Sequence, residues 1–288
     1  MPDFAENIAS LRKMLRRCTL CPRECGVDRT AGEVGFCGAG ADAVVASAGP
    51  HFGEEPVLVG SGGSGTIFFA GCNLRCIYCQ NWDISHSVTG RRTTPAQLAD
   101  IALRLTAEGC ENVNFVTPTH FSHAVAEAVR IARQRGLSAP IVYNCGGYES
   151  VETLRLLDGL VDIYMPDFKY ADPAAGQRYS AAEDYPTVAG AALAEMHRRL
   201  GPPEIDPRGV MTRGVLVRHL VMPDDVAESK AVLDLVADTA PGCAVNVMGQ
   251  YRPCYRAREF PELDEMPSGD EVRSLREYAQ AKGLRRVD

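Results

Sequence analysis

The chain has 288 residues, of which 45% are hydrophobic and 23% are charged, a composition typical of a globular protein with one large core. Its net charge of −7 and its lack of a long basic run argue against extended binding along nucleic-acid backbones. The sequence shows neither the apolar run of a secretion signal nor a stretch long enough to span a membrane. We therefore expect a cytoplasmic protein without a membrane partner.

The first 64 residues differ from the rest in composition and in apolar periodicity. Residues 4–17 have the periodicity of a short amphipathic helix, and residues 18–64 are rich in Cys, Gly and Pro. A segment with so little apolar periodicity needs a cross-link to hold its fold, and a bound metal is the obvious one. The sequence thus predicts a Cys-rich metal-binding extension over 1–64 and an α/β domain over 65–288.

Apolar runs alternate with helical patterns after residue 65. The runs are continuous and do not alternate with polar residues, which favours buried strands of a parallel sheet covered by helices. Six such units are too few for a closed eight-unit barrel, so an open doubly wound sheet or a barrel-like sheet would fit. The predicted strands are 66–70, 112–116, 140–144, 161–166, 215–222 and 244–248. The predicted helices are 95–107, 122–135, 150–158, 189–200, 225–239 and 269–282.

Polar and glycine-rich residues follow the predicted strands at the point where each ends. They lie at 117–120, 144–147, 167–169, 223–225 and 250–252, and a cysteine at position 72 follows the first strand. In parallel α/β folds this edge of the sheet is where ligands bind. The sequence therefore predicts a ligand site there.

Seven of the eleven cysteines fall in two groups. In a cytosolic chain of this length, clustered cysteines favour metal binding or redox chemistry over disulfides. The N-terminal group has four members, enough to close a zinc site or an auxiliary iron–sulfur cluster. Its spacing leaves both metals open, and one of its cysteines could instead be a reactive thiol. The N-terminal group is Cys18, Cys21, Cys25 and Cys37, and the second group is Cys72, Cys76 and Cys79.

The second group has the spacing C-x3-C-x2-C. Thiolates favour zinc and iron–sulfur clusters, but this loop supplies one ligand fewer than either site normally takes. His86 lies outside the usual zinc spacing, which makes zinc the weaker interpretation. Three buried structural cysteines are the plainest alternative.

A C-x3-C-x2-C loop directly after the first strand of an α/β chain resembles the radical SAM superfamily. The segments CTLCPRECGVDRTAGEVGFC, GTIFFAGCNLRCIYCQNWDIS, VNFVTPTHF, IVYNCGGYE, VDIYMPDFKY and RGVLVRHLVMP resemble the PflX-type group, relatives of pyruvate formate-lyase activating enzyme. The resemblance implies a partial (β/α)6 barrel. It also implies that Cys72, Cys76 and Cys79 bind three irons of a [4Fe–4S] cluster and that S-adenosylmethionine (SAM) binds the fourth.

The resemblance also suggests residues for the SAM pocket. It places Tyr78 near the adenine and Arg218 on the methionine carboxylate. It also places Asn144 in the family's Asn-Gly turn, and Asp167 with Lys169 in the family's Asp-x-Lys. These could also be a turn residue and a surface ion pair, and His120 and His123 could cap the following helix. Where activating enzymes have Gly-Gly-Glu, this chain has Thr117-Pro118-Thr119-His120, so Thr117, Thr119 or backbone carbonyls could supply the amino-group contact.

The function that the resemblance implies is reductive cleavage of SAM to a 5′-deoxyadenosyl radical. A low-potential electron donor of the flavodoxin or ferredoxin type is the expected partner, and activation of a glycyl radical enzyme, a protein substrate, is the leading subclass. Radical modification of a small molecule, a peptide or an RNA is the alternative. A non-enzymatic iron–sulfur electron carrier and a zinc hydrolase are the alternatives from other classes.

Overall fold

Strands and helices alternate along residues 4–287, the part of the chain that the computed structural model describes. The strands confirm the six predicted apolar runs, with ends that shift by up to four residues. They are β1 (Ala43–His51), β2 (Ser64–Phe69), β3 (Arg91–Thr93), β4 (Asn112–Val116), β5 (Ile141–Cys145), β6 (Ile163–Pro166), β7 (Glu204–Ile205), β8 (Met211–Leu220), β9 (Ala244–Met248) and β10 (Arg285–Arg286).

The strands form one sheet in the order β10-β9-β8-β6-β5-β4-β2-β1-β3, with β7 paired to β8. Every neighbouring pair from β10 to β2 on that path is parallel, whereas β1 is antiparallel to both β2 and β3. The fold is therefore mixed α/β with a large parallel sheet, consistent with a radical SAM fold. The carboxyl ends of the parallel strands meet at one edge, as the sequence predicts.

Helices connect the strands, and several begin at residues that cap their free N–H groups. Thr94 and Gln97 form a capping box at α4, and Ser150, Asp172 and Ser268 cap α6, α7 and α10. The helices are α1 (Ala5–Lys13), α2 (Pro56–Val59), α3 (Trp82–Ser85), α4 (Pro95–Ala107), α5 (Ser122–Gln134), α6 (Val151–Leu156), α7 (Pro173–Ser180), α8 (Tyr185–Leu200), α9 (Ser229–Thr239) and α10 (Gly269–Ala281). No helix within residues 4–287 is long and apolar enough to cross a membrane.

Two helix predictions need correction. Helix α9 begins at Ser229 and not at 225, because Asp224, Asp225 and Glu228 have the positive φ angles of a turn. Helix α7 was missed, although Asp172 followed by Pro173 is a recognisable helix start.

The two faces of the sheet bury separate apolar clusters. The larger cluster lies between the sheet and the surrounding helices. The smaller cluster contains residues of β5, β6, β8 and β9 together with Leu58 of α2. The connector between β1 and β2 therefore folds against the inner face of the sheet, the face away from the long helices.

The segment before residue 65 is physically continuous with the rest of the chain. Strand β1 extends the sheet beside β2, and Ile8 and Leu11 of α1 belong to the larger apolar cluster. No strand was predicted between residues 43 and 51, because the Ser, Gly and Pro of this segment are poor strand formers. The division at residues 64 and 65 therefore marks a change of composition within one packed core.

Candidate functional site

The three cysteines of the second group lie on the loop that leaves β2. Polar neighbours reach each sulfur atom: the backbone N–H of Leu74 donates to Cys72 Sγ at 3.3 Å, and Ser180 Oγ donates to Cys76 Sγ at 3.0 Å. Ser85 Oγ donates to Cys79 Sγ at 3.3 Å. Hydrogen bonds of this kind favour the thiolate form that a metal binds.

A cavity of about 140 Å³ joins this loop to the carboxyl ends of the strands. All three loop cysteines line the cavity, and so do five of the six residues predicted for the SAM pocket. Those five are Thr117, Asn144, Asp167, Lys169 and Arg218. They come from four different strand ends. The fold thus brings Cys72 and Arg218, which are 146 positions apart in the sequence, to one site.

Arg218 organises the polar wall of this cavity. Its Nε donates to Asp167 Oδ1 at 2.9 Å, and its Nη2 donates to Asn144 Oδ1 at 2.6 Å. Lys169 Nζ donates to the other oxygen of Asp167 at 2.7 Å. The Asp167 and Lys169 side chains are only 20% and 17% exposed, so this is not the surface ion pair that the sequence left open.

Charge pairing fixes the ionisation of this network. Burial opposes the charge of Asp167, but Lys169 and Arg218 outweigh it and hold the carboxyl pKa below its usual value. Burial likewise opposes the charge of Lys169, and Asp167 with Cys76 raises the Lys169 pKa well above its usual range. The network is therefore charged at neutral pH and offers both cationic and anionic groups to a ligand.

Thr117 and Tyr78 differ in how they relate to the cavity. Thr117 has a φ angle of +56°, which a threonine adopts rarely, and its N–H donates to Asn144 O at 2.8 Å. Tyr78 is buried beside the cavity and is absent from its lining; its hydroxyl accepts from Tyr170 at 2.6 Å. The contact between Tyr78 and adenine remains a prediction.

Two histidines do not occupy the positions that the sequence suggested. His120 and His123 are buried, and their Nε2 atoms contact the carbonyl oxygens of Ala70 and Ala41, so neither caps α5.

The tryptophan that follows the cluster loop lies at the surface. Trp82 is 47% exposed and stacks on Tyr255 with a ring distance of 5.4 Å.

The N-terminal cysteine segment packs directly against the cluster loop. A Cβ atom built on Gly71 would lie 2.7 Å from Cys37 O, and Gly71 directly precedes Cys72. Arg23 donates to Asn73 O and to Ser180 O, each at 2.8 Å, and its guanidinium stacks on Phe36. The two cysteine groups are therefore neighbours in space, although Cys37 and Gly71 are 34 positions apart in the sequence.

We expect Gly71→Ala to destabilise the protein by about 1–3 kcal/mol, because alanine is strained at the observed φ of +85° and its methyl would collide with Cys37 O. Urea unfolding measures this loss. Gly190→Ala is the matched control: Gly190 lies within α8 with open space around it, so the same change should stabilise by about 0.5–1 kcal/mol. Equal effects of the two substitutions would show that the contact carries no strain.

A buried arginine lies within the N-terminal cysteine group. Arg29 is only 2% exposed, donates twice to Gly40 O, and points Nη1 at Cys18 Sγ at 3.8 Å. Within residues 4–287 no carboxylate forms an ion pair with it. Its charge also acts on Cys37, lowering a thiol pKa that burial raises. The arginine and the cysteines are therefore electrostatic partners.

The residues present fit a [4Fe–4S] cluster with bound SAM by their chemistry. Three soft sulfur donors lie at one end of the cavity, and charged groups that match an amino acid lie at the other. Burial raises the pKa of Cys72 to about 12, so the free thiol is neutral and binding of metal releases its proton. Within residues 4–287 no three His, Cys, Asp or Glu side chains converge as ligands of a single metal ion.

The carboxylates Glu54 and Glu55 lie within the fold and were not singled out as site residues in the sequence. Glu55 is 5% exposed, and Glu54 lies 3.6 Å from Arg218 Nη1. The apolar residues Val57 to Val59 that follow them could have signalled a segment folded into the protein. Ser180, Arg23 and Arg29 were also missed, and no local pattern marks them.

Comparison with known proteins agrees with this geometry. A model of the Radical SAM superfamily matches residues 66–197. An uncharacterized protein of Methanocaldococcus jannaschii is 31% identical over 290 aligned residues, which cover 98% of this chain and 79% of that protein. A second uncharacterized protein of the same organism is 28% identical over 158 residues, 49% of this chain and 46% of that protein. The chain belongs to the radical SAM superfamily, and the matched region contains the cysteine loop and most of the cavity wall.

Proposed function

We propose that this protein cleaves SAM reductively at a [4Fe–4S] cluster bound by Cys72, Cys76 and Cys79. The cavity that joins these cysteines to Asp167, Lys169 and Arg218 carries the proposal. The bound cluster and SAM supply the chemistry: one electron breaks a C–S bond, and the 5′-deoxyadenosyl radical that results takes a hydrogen atom from the substrate.

The chain's own residues bind and orient the cofactor. Asn144, Asp167 and Lys169 present hydrogen-bonding groups at the cavity wall. Arg218 adds a fixed positive charge that attracts a carboxylate, while its Nε and Nη2 hold Asp167 and Asn144. Thr117 lies at the same edge, where its hydroxyl or carbonyl can meet an amino group. Burial of this wall excludes water, which strengthens each of these interactions.

Within this class we propose the PflX-type group and, as the first substrate to test, a glycyl radical enzyme. The resemblance of the quoted segments supports the subgroup. The exposed pair Trp82 and Tyr255, next to the cluster loop, is of the aromatic kind that protein interfaces favour. A flavodoxin- or ferredoxin-type donor would supply the electron. Modification of a small molecule, a peptide or an RNA is the competing assignment.

The test of the proposed function is anaerobic reconstitution followed by addition of dithionite and SAM. We expect 5′-deoxyadenosine and methionine in equal amounts. A protein that holds about four irons at this loop and yet forms no 5′-deoxyadenosine would contradict the proposal.

We further propose that Cys18, Cys21, Cys25 and Cys37 bind a metal centre. Arg29 supports this proposal, because a buried guanidinium without a carboxylate partner is costly unless another anion neutralises it. Ionised cysteines bound to a metal provide that negative charge, whereas neutral thiols do not. Either zinc or an auxiliary iron–sulfur cluster satisfies this requirement.

Metal analysis of a Cys18/Cys21/Cys25 triple-alanine variant would identify this centre. Loss of about four irons indicates an auxiliary cluster, and loss of about one zinc indicates a structural staple. A variant with the metal content of the wild type would show that these cysteines bind none.

Arg29→Met should have opposite effects on the two forms of the protein. Without metal it removes an uncompensated buried charge, so we expect the free energy of unfolding to rise by about 1–3 kcal/mol. With metal it removes the charge that neutralises the thiolates, so a chelator should extract the N-terminal metal faster. Arg29→Lys keeps the charge and serves as the control. The role assigned to Arg29 would be contradicted if the metal-free variant had a lower free energy of unfolding than the wild type and retained its metal as well as the wild type does.

A further inference from the structure

We propose that Glu54 and Glu55 form a subsite for a cationic group of the substrate, a primary ammonium, beside the SAM cavity. The proposal rests on the proposed function, because it concerns the molecule that the radical attacks. It identifies a chemical class of substrate for a region of the fold in which no ligand site has been assigned.

The connector between β1 and β2 holds the two carboxylates against the inner face of the sheet. Leu58, one turn after them in α2, is fully buried in the smaller apolar cluster. Asn112 Nδ2 donates to Leu58 O at 2.8 Å and ties the connector to β4. The position of Glu54 and Glu55 is therefore fixed by packing and is not that of a mobile loop.

Two side chains contact Glu54, and one contacts Glu55. Glu54 Oε1 lies 3.0 Å from His51 Nδ1, and its Oε2 lies 3.6 Å from Arg218 Nη1. Asn246 Nδ2 donates to Glu55 Oε1 at 3.0 Å. The second oxygen of Glu55 is buried and has no hydrogen-bond partner. A buried carboxylate oxygen left unpaired costs about 1–3 kcal/mol or more, which a hydrogen-bond donor would recover.

A second acceptor on the same face is also unpaired. Asn114 is fully buried, and its Nδ2 donates to Ser64 Oγ, which in turn donates to Asn112 Oδ1. The Asn114 Oδ1 atom has no partner. Asn114 belongs to β4 and Glu55 to the connector, so the unpaired Glu55 Oε2 is the acceptor that the proposed ammonium would meet.

The charges around Arg218 indicate that this donor is a cation. Asp167, Glu54 and Glu55 supply three negative charges that act on Arg218. Arg218 itself and Lys169 supply two positive charges. These five side chains of residues 4–287 thus carry one surplus negative charge, counted without His51, which lies 3.0 Å from Glu54 Oε1. A primary ammonium would neutralise this charge and donate up to three hydrogen bonds.

The subsite is separate from the cavity that takes SAM. Arg218 lines that cavity and Glu54 and Glu55 do not, so the two carboxylates lie on the far side of the arginine from the cluster loop. The connector is accessible from solvent, since the His51 side chain is 45% exposed and Phe52 is 65% exposed. Glu54 lies between the exposed His51 and the buried Glu55, so a ligand that entered at His51 would meet the Glu54 carboxylate first.

A binding experiment on the reconstituted protein with saturating SAM tests this subsite. The probe is n-butylammonium and its neutral counterpart is n-butanol. Titration of the proton NMR line width of each probe against the protein gives a dissociation constant for each. We expect the wild type to bind the ammonium in preference to the alcohol. Glu55→Gln and Glu54→Gln should each weaken ammonium binding by about ten-fold or more.

Glu195→Gln is the matched control, because Glu195 is an equally buried carboxylate on α8, outside the site. It should bind the probe as the wild type does. Glutamine keeps the volume of glutamate and can still accept from Asn246; should Glu55→Gln fail to fold, Glu54→Gln tests the same subsite. SAM affinity should not change in either variant.

Three results would overturn the subsite: equal binding of ammonium and alcohol, unchanged ammonium binding in both variants, or a parallel loss of SAM affinity. The last would assign the carboxylates to the cofactor. Failure of the proposed function is recognised separately, because the wild type would then form no 5′-deoxyadenosine before any probe is added.

Discussion

Replacement of Cys76 by alanine is expected to abolish 5′-deoxyadenosine formation. Cys76 is one of three sulfur atoms at the cavity and accepts a hydrogen bond from Ser180, a residue 104 positions away in α7. Loss of groups that only support a metal ligand typically costs about 10–100-fold in affinity or activity, so loss of the ligand itself should cost more than about 100-fold. Iron content and product formation under anaerobic conditions measure the effect.

Cys243→Ala provides the matched control for this substitution. Cys243 is fully buried beside β9 and is remote in sequence from both cysteine groups. We expect it to retain iron and to form 5′-deoxyadenosine at the rate of the wild type. If Cys76→Ala also retained full activity, the three-cysteine loop could not be the cluster site, and the proposed function would fail with it.

Arg218→Met is expected to lower both stability and SAM affinity. Methionine matches much of the arginine volume, but it leaves Asp167 with Lys169 alone and leaves Asn144 Oδ1 and Glu54 without the guanidinium. Removal of one member of a buried ion pair costs about 3–5 kcal/mol, and we expect the free energy of unfolding to fall by about that amount. We expect the SAM dissociation constant to rise by about 100-fold, since the SAM carboxylate loses its cationic partner.

Two controls separate these effects. Arg218→Lys keeps the charge but not the planar fork, so it should retain more SAM affinity than stability. Arg135→Met removes an exposed arginine that pairs with Asp100, both about half exposed, and should change neither quantity measurably. Unchanged SAM binding by Arg218→Met would remove Arg218 from the cofactor site and leave it a structural role.

The parts of the site that could be predicted from the sequence were those with local patterns. The C-x3-C-x2-C spacing marked the cluster loop, and polar residues at the strand ends marked the opposite wall, because parallel strands all end at one edge. Asp167 and Asn144 were placed at this edge on this basis, whereas Arg218 came from the family resemblance alone; the structure joins all three by hydrogen bonds.

The parts that could not be predicted depend on contacts between distant segments. Ser180 contacts Cys76 from α7, the helix that was not predicted. Arg23 contacts the cluster loop from the N-terminal segment. Charged residues next to a short apolar run, as at Glu54 and Glu55, usually lie in solvent. Here the packing of Leu58 on the inner face overrides that preference and carries the carboxylates inside.

The placement of the β1–β2 connector separates two tasks along the chain. Residues 72–79 hold the sulfur donors, whereas residues 52–62 supply the carboxylates on the inner face and contribute nothing to the cavity lining. The connector begins and ends on antiparallel neighbours, so its two ends are anchored close together. If another connector were grafted between His51 and Ser64, we therefore expect the substrate preference set by the inner face to change. Cleavage of SAM at the cysteine loop should continue.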